Sequence, residues 1–138
     1  MRPVALVVDD QYDCRQLAEI YLSQMGYDVE TACDGDEALE IIRRNPNRFS
    51  VMITDCMMPR MIGPCLIQKL HEHNHSIDKI ILSSALSPTD EPIASLLECG
   101  YYQVQFIPKG ARNFRAELEA AVGGAMLGPQ AAAIAQFG

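Results

Sequence analysis

The chain has 138 residues, 49% of them hydrophobic and 21% charged, the proportions of one ordinary globular domain. Its 18 acidic residues against 11 basic ones give a net charge of −7, which repels phosphate backbones and argues against direct nucleic-acid binding. No apolar run approaches the roughly 20 residues of a membrane span, and two aspartates by residue 10 argue against a signal peptide. A core of this size leaves no room for a separate DNA-binding domain. If the chain signals, another molecule must read it.

Strand and helix signals then alternate. Residues 4–8 (VALVV) read as a first strand, and their unbroken hydrophobicity implies burial on both faces. Leu17, Ala18, Tyr21, Leu22 and Met25 recur at helical spacing, and Gly26 stops that helix. Residues 28–32 (DVETA) give a second strand, Ala38, Leu39 and Ile42 the face of a second helix, and residues 51–54 (VMIT) a third strand. Leu66, Ile67 and Leu70 mark a third helix. Its polar end carries His71, His73 and His75; His71 and His75 share a helical face as metal ligands do, but their place reads as a solvated helix end. Residues 79–83 (KIILS) give a fourth strand. Ser87, Pro88, Thr89 and Asp90 predict the start of a fourth helix: a capping serine, proline at the first helical position, and an acid three residues after the cap. Ile93, Leu96 and Leu97 form its face and Gly100 its end. Residues 104–107 (VQFI) give a fifth strand, and Phe114, Leu118, Ala121 and Val122 a fifth helix. The uncharged, Gly/Ala-rich residues 123–138 read as a helix extension or flexible tail, leaving 1–122 as the domain.

Strands alternating with helices in this way predict an α/β fold, a doubly wound five-stranded parallel sheet with five helices. The five cysteines, Cys14, Cys33, Cys56, Cys65 and Cys99, are odd in number and contain no C-x-x-C pair. They read as reduced thiols of a cytoplasmic protein, not as a disulfide framework or a zinc site.

Ligands of open α/β sheets sit beyond the carboxyl ends of the strands. The first strand delivers Asp9 and Asp10 there, the third Asp55, the fourth Ser83 and Ser84, and the fifth is followed by Lys109. Taken singly, each is an ordinary cap, turn or surface residue; together on one rim they make a site. Clustered carboxylates repel one another, and a divalent cation relieves them. Hard oxygen ligands with room for water suit Mg²⁺. The lysine and a hydroxyl would hold the remaining oxygens of a phosphoryl group. The inferred chemistry is phosphoryl transfer onto a carboxylate, which needs no general base.

The segments VALVVDD (4–10), TDCMMPRMIG (54–63), IILSSA (80–85) and FIPKG (106–110) resemble the receiver domain of two-component response regulators, the chemotaxis-type, flavodoxin-like fold, over about residues 3–122. The resemblance implies that Asp55 accepts the phosphoryl group. It also implies that Asp10 binds Mg²⁺ with Asp9 beside it, and that the backbone carbonyl of Met57 is a further metal ligand. Ser83, with Ser84 as competitor, would contact one phosphoryl oxygen and Lys109 another, and Phe106 would be the switch aromatic. The phosphate donor would be a histidine kinase or a histidine phosphotransfer protein. The face of the fourth helix, fifth strand and fifth helix would meet a downstream partner or a second copy in a homodimer, with no nucleic acid or membrane involved. Such a domain carries an aspartyl phosphate and is not a turnover enzyme.

Three departures stand out. Gly110 replaces the usual proline after the lysine, which argues for a trans bond there. The stretch from Gly100 to Lys109 is longer than usual, and Ile62 stands where an aspartate is common. Three other readings compete. A Mg²⁺-dependent phosphohydrolase would resemble D-x-D and carry a cap domain. A receiver cut from a hybrid sensor kinase would explain the tail as a remnant linker. A binding module that no longer takes phosphate would have lost Asp55 or Lys109.

Overall fold

Strands buried on both faces require helices on both sides of the sheet, and the computed structural model, which describes residues 2–110 and 112–126, has that arrangement. The order is β1 Val4–Val8, α1 Tyr12–Gln24, β2 Asp28–Ala32, α2 Gly35–Arg44, β3 Phe49–Asp55, α3 Gly63–Glu72, β4 Lys79–Ser84, α4 Ile93–Cys99, a 3-10 turn Tyr101–Gln103, β5 Gln105–Pro108 and α5 Phe114–Met126. The strands pair in parallel in the order β2-β1-β3-β4-β5, that of flavodoxin-like doubly wound sheets. No described helix is long and apolar enough to cross a membrane. α5 runs on through residues 123–126; the rest of the expected extension or tail, 127–138, lies outside the described residues.

Side-chain alternation sends successive strand residues to opposite cores. Ile80 and Leu82 of β4 pack with Leu39, Leu66 and Ile93 on the side of α2, α3 and α4. Ile81 packs with Leu22, Ile107 and Leu118 on the side of α1 and α5. α1 ends where Gly26, at φ +102°, lets the Tyr27 N–H reach back to the Leu22 carbonyl at 3.1 Å.

α4 begins at Ile93, not at the Ser87–Pro88 signal. Ser87 and Asp90 instead close a turn: the Asp90 N–H donates to the Ser87 carbonyl and the Ser87 N–H to the Asp90 carboxylate, both at 2.9 Å. The reason is Pro92, which has no N–H for the Pro88 carbonyl and whose ring crowds that carbonyl, so a helix starting at Pro88 cannot pass. After Gly100, at φ +72°, the lengthened connection folds into the 3-10 turn, with Tyr102 and Gln103 left-handed at φ +58° and +51°. The Tyr102 hydroxyl donates to the His75 carbonyl at 2.6 Å, and its ring meets His71 edge-on at 6.0 Å between centroids. The histidine run therefore anchors this turn to the end of α3, and among the described residues it joins no metal-holding cluster.

Candidate functional site

The parallel sheet carries the carboxyl ends of β1, β3, β4 and β5 to one edge, which brings residues far apart in sequence together. One carboxylate oxygen from each of Asp9, Asp10 and Asp55 lies within 4.8 Å of the others. Asp9 and Asp55 are buried and Asp10 is exposed. The Lys109 ammonium stands 3.0 Å from Asp55 Oδ2 and 3.1 Å from Asp9 Oδ2. Backbone contacts fix these groups. The Lys109 N–H donates to the Ser84 carbonyl at 2.8 Å, the Gln11 N–H to Asp9 Oδ1 at 2.9 Å, and the Cys56 N–H to Asp55 Oδ1 at 2.8 Å. The Arg15 guanidinium holds the Asp9 carbonyl at 2.8 Å. Gly110 follows at φ +78°, which proline cannot adopt, and its bond to Lys109 is trans.

Burial pushes the Asp55 carboxyl up, the Lys109 ammonium opposes this, and the Asp9 charge adds to the rise. Burial works to lower Lys109, but its hydrogen bonds to Asp55 and Asp9 outweigh it and the net shift is upward. The donor set fits Mg²⁺: three hard carboxylate oxygens converge, and the ammonium supplies one positive charge against three negative ones.

The loop after β3 is clamped at both ends. The Gly63 N–H donates to the Cys56 carbonyl at 2.7 Å, and a Cβ on Gly63 would lie 2.3 Å from the Asp55 carbonyl oxygen. Arg60 pairs with Asp34, the buried N-cap of α2 that also accepts the Glu37 N–H at 2.9 Å. Gly35 packs so closely that its Cβ would meet the Met61 carbonyl oxygen at 2.7 Å. Met57 stands in this loop with its side chain exposed. The sequence alone assigns no role to Gly63, Arg60 or Asp34. Gly63 is visible inside the TDCMMPRMIG motif, whereas the Arg60–Asp34 pair has no local signal.

Ser83 and Ser84 face opposite ways. Ser83 is the register partner of Asp55 and of Ile107, and it borders the same cavity as Asp9, Asp55 and Lys109. By alternation Ser84 follows Ile80 and Leu82 onto the other face. There it accepts the Leu86 N–H at 3.0 Å. Phe106, the register partner of Leu82, is half-buried against that same core. The hydroxyl that shares a face with Phe106 is therefore Ser84's.

Residues 5–120 match the family described as the response regulator receiver domain. The chain is 39% identical over 108 residues to the probable transcriptional regulator ycf27 of Porphyridium aerugineum, covering 75% of this chain and 42% of that protein. It is 34% identical over 95 residues to the response regulator protein PilR of Pseudomonas aeruginosa, covering 69% of this chain and 21% of the relative. It thus spans less than half the length of these curated relatives. Among solved structures it is similar to the response regulator TrrA of Thermotoga maritima in complex with Mg²⁺ and BeF, with 27% identity, a TM-score of 0.72, and 90% of this chain and 99% of that one covered. A response regulator receiver domain protein from Clostridium thermocellum, 24% identical with a TM-score of 0.76 over 90% of this chain and 94% of that one, shares the fold.

Proposed function

The chain belongs to the response regulator receiver domain family, and we propose that it accepts a phosphoryl group on Asp55 from a phosphohistidine donor and thereby switches a surface read by a partner protein. The observation that carries this reading is the Lys109 ammonium between Asp55 and Asp9, with Asp10 beside them. An Asp55 oxygen attacks phosphorus as the donor's P–N bond breaks, and the imidazole leaves with the electron pair. Lys109 then meets the new phosphoryl oxygens. Asp9, Asp10, Asp55 and the Met57 carbonyl would hold Mg²⁺, which when bound supplies charge neutralisation. The product stays on the chain, so this is a signalling acceptor and not a turnover enzyme.

Ser84 is assigned the switch role in place of Ser83, because it shares a face with Phe106. Its hydroxyl turning toward the phosphoryl group leaves room for the ring to move inward, which alters the face of α4, β5 and α5. That face would meet the downstream partner or a second copy. The donor, a histidine kinase or histidine phosphotransfer protein, would dock on α1, where Tyr12 is 62% exposed, Leu17 43% and Ile20 44%. The five free thiols suit the reducing cytoplasm.

Incubation with acetyl phosphate and Mg²⁺, followed by intact-mass measurement, tests the reading. One phosphoryl adduct is expected in the wild type and none in Asp55→Asn or without Mg²⁺. An undiminished adduct in Asp55→Asn, or one mapped to a histidine, overturns it.

A further inference from the structure

Between α1 and α5 lies a cavity of about 300 Å³ whose inner end reaches Asp55 and Lys109. That is the low end of the range for small-molecule sites, roughly 300–1,000 Å³. Its walls are apolar: Leu17, Ala18 and Tyr21 from α1, Ile53 from β3 and Phe114 from α5. Two observations separate it from a packing defect.

The first is Ser83. It faces a core otherwise built from Val7, Ile53, Ile81 and Ile107, and it is only 6% exposed. Among the described residues its hydroxyl has no hydrogen-bond partner, and it borders the cavity. A serine where its neighbours are Val and Ile leaves space, and it presents an unpartnered hydroxyl to whatever fills the cavity. With the switch role at Ser84, this hydroxyl is left for something that enters from the α1–α5 side.

The second is charge. The exposed residues lining the cavity include Arg112 and Arg115, a local excess of cations in a chain of net charge −7. Arg115 is shared with Glu119 at 3.1 Å and lies over the Tyr21 ring at 5.5 Å. Arg112 has no ion-pair partner among the described residues. At the inner end, by contrast, Asp9 and Asp55 outnumber Lys109, so that end repels an anion. A ligand must therefore place its negative charge at the rim, lay an apolar body along the walls, and present a neutral hydrogen-bonding atom to Ser83.

We propose that this cavity binds a small amphipathic carboxylate, with an aromatic or branched body and a hydroxyl or carbonyl at the end away from its charge. The receiver would then carry a second, small-molecule input beside its phosphoryl site. The proposal rests on the cavity and, through the reassignment of the switch hydroxyl to Ser84, on the function proposed above; the binding test itself needs no phosphorylation of Asp55.

The test is amide NMR titration of the full chain with three probes: 4-hydroxyphenylacetate, phenylacetate, which lacks the distal hydroxyl, and 4-hydroxyphenylethanol, which lacks the charge. Saturable shifts are expected at Leu17, Ala18, Tyr21, Ile53, Ser83 and Phe114, with 4-hydroxyphenylacetate binding about 3- to 10-fold more tightly than phenylacetate, the value of one neutral hydrogen bond. Ser83→Ala should erase that preference while phenylacetate still binds. Ser83→Leu should fill the cavity and abolish both. Arg112→Gln should weaken the two carboxylates and leave the alcohol unchanged. Non-saturating or scattered shifts overturn the site, as does a hydroxyl preference that survives Ser83→Ala. Because Ser83→Ala removes one oxygen and adds no bulk, it separates the two outcomes even where Ser83→Leu does not fold.

Discussion

The Lys109 ammonium lies 3.0 Å from Asp55 Oδ2 and 3.1 Å from Asp9 Oδ2, so the chain's own cation occupies the gap between two of its three clustered carboxylates. Ammonium and divalent cation thus relieve the same repulsion. Lys109→Ala should destabilise the metal-free protein by about 3 kcal/mol, since it leaves two buried carboxylates with only their backbone hydrogen bonds and no counter-charge. Mg²⁺ should then raise the melting temperature more in the variant than in the wild type. Calorimetric melts across a MgCl₂ series check this; equal increments in both proteins would show that the two cations do not share the charge.

Gly63 is fixed by contact. A Cβ there would lie 2.3 Å from the Asp55 carbonyl oxygen, and backbone cannot yield as a flexible side chain does. Gly63→Ala should cost about 1–3 kcal/mol by overpacking and should displace Asp55, slowing phosphoryl uptake from acetyl phosphate. Denaturant midpoints and the labelling rate read the two effects, and an unchanged labelling rate would uncouple Gly63 from the site.

Asp34 is 1% exposed and paired with Arg60. Arg60→Ala leaves that carboxylate with only its hydrogen bond from the Glu37 N–H, at a cost of about 1–3 kcal/mol. Asp34→Asn in the same chain keeps an N-cap and removes the charge, so the double variant should recover most of the loss. A double-mutant cycle measures the coupling, and purely additive effects would refute it.

Tyr27 is 1% exposed, and burial pushes its hydroxyl up to about 12. The folded form keeps its proton at pH values where the unfolded tyrosine, near 10, has lost it. Between about 10 and about 12 the unfolded state therefore binds fewer protons, and stability falls as pH rises. Below pH 10 this contribution is fully present. Tyr27→Phe should flatten that fall in stability–pH curves and cost little at neutral pH, because the hydroxyl has no hydrogen-bond partner among the described residues. A slope unchanged by the substitution would point to another group.

The sheet and the carboxylate site were legible in the chain because their causes are local. Unbroken apolar runs such as VALVV and VMIT mark strands buried on both faces, and acids placed directly after such strands must reach the carboxyl edge. What the sequence left open was decided by relations it does not carry. Pro92 overrode a well-formed cap at Ser87, because a helix start is cancelled by a barrier a few residues ahead. The Arg60–Asp34 clamp and the grip of Tyr102 on His75 join segments that meet only after the helices have packed. The faces of Ser83 and Ser84 depend on strand register: one residue along a strand reverses the face, and only the pairing of β4 with β3 and β5 shows which serine stands with Asp55 and which shares a face with Phe106.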